Sequence, residues 1–153
     1  MSDGDAFGVI GDECMYDYNH MQDSTFSWYQ TLEKPVWAPP SWLFGPVWSV
    51  LYVLITISFI SVFVKTMRKE LRPIVALPFA LNLIFNLAYS PLQFGLRNNL
   101  LASLDIVLVL ITIIWAGIAI YPHLKWVVYV NIPYFIWVAF ATVLQLTITY
   151  LNL

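Results

Sequence analysis

The stretch FGPVWSVLYVLITISFISVFV, at residues 44–64, contains no charged side chain and decides the fold. Three further apolar stretches follow it, at residues 74–96, 100–121 and 126–151, and Asp105 is the single charged residue within them. A helix needs about 20 apolar residues to cross the hydrocarbon core of a bilayer, so each stretch is long enough. We therefore predict an all-α integral membrane protein with a bundle of four transmembrane helices.

The composition of the whole chain agrees with a membrane protein. Of its 153 residues, 60% are hydrophobic and 10% are charged, whereas an average soluble domain has about 25% charged residues. The net charge of −2 and the lack of a long basic cluster argue against nucleic-acid binding, and a single cysteine excludes a disulfide framework. The apolar stretches do not alternate between apolar and polar residues, which excludes a β-barrel.

Basic residues indicate the orientation in the membrane. The loop between the first and second apolar stretches holds Lys65, Arg68, Lys69 and Arg72. The opposite ends of the stretches carry Lys34 and Arg97. By the positive-inside rule, the 65–73 loop is predicted to lie in the cytoplasm and both termini outside. We expect a multi-pass protein of a bacterial or archaeal cytoplasmic membrane rather than of an organellar outer membrane.

The segment before the first apolar stretch has two parts. Residues 1–27 hold six of the nine acidic residues without helical or strand periodicity, and we predict a mobile acidic tail outside the membrane. Residues 28–43 are predicted to form a loop that prolines stiffen. Trp42 fits an ordinary interfacial anchor, whereas the rigid Trp37-Ala38-Pro39-Pro40 segment is more than an anchor requires.

Polar and aromatic side chains recur at helical spacing in every apolar stretch. The four sets are Phe44, Trp48 and Tyr52; Pro78, Asn82, Asn86, Tyr89 and Gln93; Asp105, Leu108, Thr112 and Trp115; and Pro133, Trp137, Ala141 and Gln145. Because polar groups are costly in lipid, we predict that these stripes converge inside the bundle. An aromatic interior with a few amides suits a flat, largely apolar ligand with polar edges. The alternative is that the amides only bond helix to helix, at about 1 kcal/mol each.

Asp105 is the one ionisable group at membrane depth. It falls in the second turn of its helix, where the N-terminal amides favour a negative charge. We interpret it as a fixed partner for a neighbouring Asn, Tyr or Arg97, and the alternative is a proton carrier of an exporter. Both histidines, His20 and His123, lie outside the apolar stretches, so we predict no metal site and no cofactor.

Five segments of the chain carry a resemblance to a known family. They are WYQTLEKPVWAPP at 28–40, FGPVW at 44–48, LNLIFN at 81–86, SPLQFGLRN at 90–98 and PYFIWVAFAT at 133–142. Together they cover about residues 28–152 and resemble the TspO/MBR family. These are the tryptophan-rich sensory proteins, related to the mitochondrial translocator protein or peripheral benzodiazepine receptor.

The resemblance implies a bundle whose loop-capped aromatic pocket binds tetrapyrroles such as protoporphyrin IX, sterols or isoquinoline carboxamides. Carried over by position, the pocket residues would be Trp28, Tyr29, Pro39, Phe44, Trp48, Asn82, Asn86, Tyr89, Trp137 and Ala141. The resemblance also implies a homodimer with a role in sensing, transport or porphyrin homeostasis. Some members are credited with light-dependent breakdown of porphyrin, for which Trp48 and Trp137 would be the catalytic candidates as electron donors.

The chain departs from the family pattern in three places. The family has five helices, and the first of them precedes the loop, where this chain has the acidic segment 1–27. Gln145 stands where many relatives have asparagine. No basic residue follows Tyr150, so the sterol-recognition pattern of animal members is incomplete.

We therefore expect a tetrapyrrole ligand rather than a sterol, in a protein that is not an enzyme and has membrane lipid as its other partner. Three alternatives stay open beside the exporter. They are a sterol- or lipid-binding translocator, a light-dependent porphyrin-degrading enzyme, and a scaffold or sensor without chemistry.

Overall fold

The computed structural model describes residues 28, 29 and 31–153. Residues 34–153 form one compact unit, and the described residues before them belong to a separate one. The predicted acidic tail, residues 1–27, lies outside the described residues. Trp28, Tyr29 and Thr31 have helical backbone, and the Thr31 hydroxyl donates to the Trp28 carbonyl oxygen at 2.7 Å. A short helical segment is therefore present where the sequence predicts the start of the loop.

The unit 34–153 is built of helices. A 3-10 turn at Ser41–Leu43 leads into α1 (Phe44–Met67), and α2 (Pro73–Ser90) continues into a π-helical turn at Pro91–Gly95. Helix α3 spans Asn99–Ile120, α4 is short at Lys125–Val130, and α5 spans Ile132–Leu151. Within the described residues, four stretches are long and apolar enough to cross a membrane: Ser41–Met67, Pro73–Gly95, Asn99–Ile120 and Ile132–Leu151. The prediction of an all-α membrane protein is confirmed.

Local sequence explains where the helices begin and end. Helix α2 begins with Pro73, whose missing N–H is no loss at a first helical position. The Asn98 side chain caps α3 by accepting a hydrogen bond from the backbone N–H three residues later, at 3.0 Å. Helix α1 ends where Lys69 adopts a left-handed φ of 60° and the Glu70 N–H donates to the Lys65 carbonyl oxygen at 2.9 Å.

Two of the predicted helices are not continuous. The last stretch is divided at Asn131, because Pro133 has no N–H to donate to the preceding turn and is instead tolerated in the first turn of α5. The second stretch changes from an α-helix to a π turn at Pro91, which also lacks an N–H. There the Leu96 N–H donates to the Pro91 carbonyl oxygen at 2.9 Å, five residues back.

Two clusters of apolar side chains join the helices. One lies in the middle of the bundle and comprises Leu51, Ile55, Val109, Ile113, Tyr134 and Val138. The other lies towards the 65–73 loop and comprises Val62, Leu71, Val75, Ile120 and Val127. Because lipid tails are as apolar as these side chains, the clusters stabilise the bundle by close packing rather than by the hydrophobic effect.

Burial agrees with the predicted stripe on α2 and corrects the one on α3. The side chains of Pro78, Asn82 and Asn86 on α2 are buried, as is that of Gln93 in the π turn, and Tyr89 is half-buried. On α3, Asp105 and Thr112 are buried, but Leu108 is 41% and Trp115 40% exposed. The two apolar members of the α3 stripe therefore face outwards, at no cost in a membrane.

The interior face of α5 lies one residue away from the predicted one. Pro133 is exposed, whereas Tyr134 is 2% exposed and Val138 is fully buried. The predicted positions repeat every four residues, but a helix repeats every 3.6, so such a set drifts around the helix. Trp137 is half-buried at the edge of the interior face, and Gln145 is buried.

Candidate functional site

Aromatic rings from the loop before α1, from α1 and from α5 contact one another across the helices. Ring contacts join these side chains in two groups: Trp37, Phe140, Trp137 and Phe44 form one, and Tyr52, Trp48 and Tyr134 form the other. Trp48 and Trp137 both pack against the buried apolar residues in the middle of the bundle, and we call the seven residues together the aromatic cluster. Its contacting ring pairs have centroids between 5.5 Å (Trp48 and Tyr52) and 6.5 Å (Trp48 and Tyr134) apart. Trp37, Phe44 and Trp48 each contact a ring of α5 edge-on, a preferred geometry for aromatic pairs.

The Tyr134 hydroxyl joins α5 to α2, and it is the centre of a hydrogen-bond network that also reaches α1 and α3, which we call the inner network. It donates to the Asn82 side-chain oxygen at 2.9 Å and accepts from the Asn86 side-chain nitrogen at 2.9 Å. The Asn86 oxygen in turn accepts from the Tyr52 hydroxyl at 2.8 Å. Asn82 uses both hydrogens of its amide, on the Val109 carbonyl oxygen and on the Thr112 hydroxyl, each at 3.0 Å. These amides therefore connect helices.

A second hydrogen-bond network lies nearer the end of the bundle at which the loop before α1 enters. The Gln145 side chain accepts from the Tyr89 hydroxyl at 2.8 Å and donates to the Gln93 oxygen at 3.0 Å. Gln93 is fully buried and donates to the Asn99 side-chain oxygen at 3.1 Å. Gln145 thus ties α5 to α2 and to the π turn, where many family members have the shorter asparagine.

Two buried polar atoms lack a hydrogen-bond partner among the described residues. They are the Oδ2 atom of Asp105 and the indole N–H of Trp137. The interpretation of Asp105 as a fixed partner of a neighbouring polar group is therefore not supported for that oxygen. A buried donor without a partner costs about 1–3 kcal/mol, so the Trp137 N–H is a position where a ligand acceptor would bind favourably.

The structure brings part of the predicted pocket together. Phe44, Trp48 and Trp137 belong to the aromatic cluster, and the three predicted residues of α2 belong to the two networks beneath it. Pro39 and Ala141 are half-buried, on the loop and on α5. Trp28 and Tyr29 belong to the separate unit before residue 34, so their place in a pocket stays a prediction.

Tyr134 is the central residue that the sequence analysis did not select. It is the largest fully buried side chain of the described residues, and it belongs both to the aromatic cluster and to the inner network. Its sequence signal is its spacing, since Tyr134, Val138 and Thr142 recur every four residues in α5.

A separate cavity of about 500 Å³ lies in the half of the bundle that points towards the 65–73 loop. It is lined by all five helices and by Asn131 between α4 and α5. Of the predicted pocket residues, Asn82 lines it, and Tyr134 is shared with the aromatic cluster. The cavity and the predicted pocket are therefore different places.

Comparison with known proteins gives a consistent picture. The model of the TspO/MBR family matches residues 14–151, a range that begins within the predicted tail. The tryptophan-rich protein TspO of Chlorobaculum tepidum is 37% identical over 127 residues, which are 82% of this chain and 80% of the relative. The TspO of Bacillus cereus is 39% identical over 126 residues, 82% of this chain and 81% of the relative. The human translocator protein is 29% identical over 137 residues, 81% of each chain. The described residues hold four stretches long and apolar enough to cross a membrane, and the family match covers most of the sequence, so the chain belongs to the TspO/MBR family.

Proposed function

We propose that this membrane protein binds a tetrapyrrole such as protoporphyrin IX against the aromatic cluster, and that it serves porphyrin sensing, transport or homeostasis. The observation that carries the proposal is the indole N–H of Trp137, which is buried within the cluster and has no partner among the described residues. A tetrapyrrole offers a large flat π surface together with polar atoms, and so matches rings that surround one free donor.

Two basic residues at the end of the bundle where the loop before α1 enters favour an acidic ligand. Lys34 lies in the loop before α1, and Arg97 precedes α3, so both basic residues belong to the same end of the antiparallel bundle. Burial lowers the pKa of Lys34 from its ordinary value. The carboxylates of a porphyrin would lie at this end, where basic side chains bind carboxylates by charge-assisted hydrogen bonds.

The contact residues that we propose are Pro39, Phe44, Trp48, Trp137 and Ala141. Asn82, Asn86 and Tyr89 are proposed to act through the bundle, because their side chains bond to other helices. Trp28 and Tyr29 stay proposed contacts on the strength of the family pattern alone.

The test is a titration of protoporphyrin IX into detergent-purified protein in the dark. Porphyrin absorbance is followed beside tryptophan fluorescence, because the variants change the number of fluorophores. Trp137→Phe keeps a ring and removes the N–H, so we expect up to about tenfold weaker binding. Trp48→Phe is expected to weaken binding as well. Trp115→Phe is the matched control, since Trp115 lies on the exposed face of α3.

Saturable binding that both cluster variants weaken, and the control does not, would support the proposal. Absorbance changes that never saturate, or that are the same in all four proteins, would mean that porphyrin partitions into detergent. The family's ligand would then not bind at this cluster.

Light-dependent breakdown of the bound porphyrin is the second candidate, because Trp48 and Trp137 both pack against the same buried apolar residues and an excited porphyrin accepts electrons from indole at contact. Illumination of the complex would bleach the porphyrin in the wild type and more slowly in Trp48→Phe and Trp137→Phe. Porphyrin that is bound but equally stable in all variants would indicate a sensor or carrier without chemistry.

The orientation and the homodimer are part of the proposal, and the native Cys14 is a reporter for the first. A membrane-impermeant maleimide is expected to label Cys14 on intact cells. In a Cys14→Ser background, Lys69→Cys should be labelled only after the membrane is permeabilised. The reverse pattern would contradict a cytoplasmic 65–73 loop. Chemical cross-linking in vesicles tests the homodimer, and a monomeric product alone would contradict it.

A further inference from the structure

We propose that the 500 Å³ cavity is a second ligand site, which admits a lipid alcohol sideways from the membrane and holds its hydroxyl between Ser58 and Asn131. The site differs from the aromatic cluster in place and in chemistry. It does not depend on tetrapyrrole binding, so each proposal can fail without the other.

The cavity opens between α3 and α5. Its lining residues on α1 and α2 are buried or half-buried, whereas its exposed lining residues lie on the other two long helices or directly after α3: Ile114, Ile118, Tyr121, Ile132 and Phe135. All five lie within the apolar stretches or at their ends, so the opening faces lipid. Gly117 lies between them, and a side chain built there would meet no atom within 4 Å. The absence of that side chain therefore leaves the opening wide.

The polar groups of the lining select a neutral ligand. None of the lining residues is a lysine, arginine, aspartate or glutamate. Ser58 is nine residues from the end of α1, roughly 14 Å along the helix axis, so the site lies within the hydrocarbon core. A carboxylate or an ammonium group at that depth would be far too costly without a partner of opposite charge.

Within the buried part of the cavity, hydrogen-bonding capacity is left at one place, because Tyr121, whose hydroxyl has no partner among the described residues, is 47% exposed at the opening. Asn82 and Tyr134 have their donors and acceptors engaged in the inner network. The Asn131 side-chain nitrogen donates to the Ser58 hydroxyl oxygen at 2.6 Å and to the Val127 carbonyl oxygen at 2.7 Å. Among the described residues, the Ser58 hydroxyl proton has no acceptor, and the Asn131 side-chain oxygen has no donor.

One free donor beside one free acceptor matches a group that both accepts and donates. A hydroxyl does both, whereas an ether or an ester can only accept. The apolar remainder of the ligand would fill the space among Phe59, Phe79 and Phe135. A hydroxyl group that moves from the membrane surface into the cavity loses its hydrogen bonds to water. New hydrogen bonds to Ser58 and Asn131 would replace them.

The experiment uses the full-length protein in phosphatidylcholine vesicles and a long-chain alcohol that carries a photoactivatable diazirine. Mass spectrometry locates the cross-links, and unlabelled competitors separate specific from general lipid contact. We expect competable labelling on residues 114–121 and 132–135. An unlabelled linear alcohol and an unlabelled isoprenoid alcohol are compared as competitors, to show which of these two kinds of lipid alcohol the cavity prefers. The methyl ether of the linear alcohol is expected not to compete.

Three variants complete the test. Gly117→Leu should abolish the competable labelling by narrowing the opening, and it should fold, because leucine favours a helix more than glycine does and the added atoms point into open space. Ser58→Ala should weaken competition about tenfold by removing the donor. Ser61→Ala is the matched control, since its hydroxyl bonds to the Ile57 carbonyl oxygen on the same helix and does not line the cavity.

The proposal is overturned if labelling at these positions is unaffected by Gly117→Leu. It is also overturned if the ether competes as well as the alcohol, or if Ser58→Ala behaves like Ser61→Ala. In that case the cavity holds ordinary lipid chains without selecting a hydroxyl.

Discussion

Replacement of Tyr134 by phenylalanine tests whether the inner network holds the bundle together. The change removes one oxygen atom from a side chain that is 2% exposed, and with it one hydrogen bond to Asn82 and one to Asn86, both of 2.9 Å. Hydrogen bonds between membrane helices contribute about 0.6 kcal/mol on average and up to about 1.7 kcal/mol. The loss of two bonds, with two buried amide atoms left unpaired, should therefore cost about 1–3 kcal/mol.

Two further tyrosine-to-phenylalanine variants provide a comparison for the loss of stability in Tyr134→Phe. Tyr52→Phe breaks a single bond, to Asn86, and Tyr52 is 38% exposed, so we expect a loss below about 1 kcal/mol. Tyr129→Phe is the control, because Tyr129 is 59% exposed on α4, and we expect about zero. The free energy of unfolding would be measured by titration with sodium dodecyl sulfate in mixed micelles, followed by circular dichroism.

The effects of substitutions at Tyr134 and Asn86 on the free energy of unfolding should not be additive. In the Tyr134→Phe background the Asn86 amide is already unpaired on one side, so Asn86→Leu should cost less there than in the wild type. If Tyr134→Phe is no worse than Tyr129→Phe, the network does not stabilise the bundle. The amides would then be free to serve as ligand donors, as the sequence predicts for the α2 stripe.

Three smaller predictions concern the helix ends. Lys69→Gly should raise the free energy of unfolding by up to about 1 kcal/mol, because glycine adopts the left-handed φ of 60° without strain. Arg68→Gly is the control: it removes the same charge at a φ of −74°, and it should lower the free energy of unfolding in the same micelle titration. Asn98→Ala should cost about 1 kcal/mol through the lost α3 cap, whereas Asn98→Asp should be nearly neutral, and equal losses would exclude a capping role. A hydrogen bond from the Lys65 ammonium at 2.7 Å lowers the pKa of Glu70, so the folded state gains stability above the ordinary glutamate pKa and loses it as the pH falls through the lowered one. An NMR titration of the Glu70 carboxyl group should show the low pKa, and Lys65→Met should return it towards the ordinary value.

Burial of the polar residues was predictable from the sequence, because a polar side chain that faces lipid has no hydrogen-bond partner. Asn82, Asn86 and Gln93 had to face protein, and they do. Their roles were less predictable, since helical spacing shows which side of a helix a residue occupies but not what lies across from it. The bond from Asn86 to Tyr134 joins residues 48 positions apart and becomes visible only in three dimensions.

The placement of apolar residues could not be predicted in the same way. Leu108 and Trp115 share helical spacing with Asp105, yet they face outwards, because an apolar side chain in a membrane is as stable against lipid as against protein. The cavity escaped the sequence analysis for a related reason. Its opening involves the missing side chain of Gly117, and its lining includes Asn131 at the break between α4 and α5; neither feature carries a periodic signal.

The uneven distribution of the amides among the helices has a consequence for biogenesis. The α1 and α3 stretches are the more apolar ones, while the α2 and α5 stretches are markedly less so and carry Asn82, Asn86 and Gln145. A translocon inserts the first kind on hydrophobicity alone, but amide-bearing segments are marginal until they find partners. We therefore expect α2 to be retained beside the translocon until α3 emerges and supplies the Val109 carbonyl and the Thr112 hydroxyl to Asn82. Truncation of the nascent chain before α3 should leave α2 poorly inserted, although α1 already spans the bilayer.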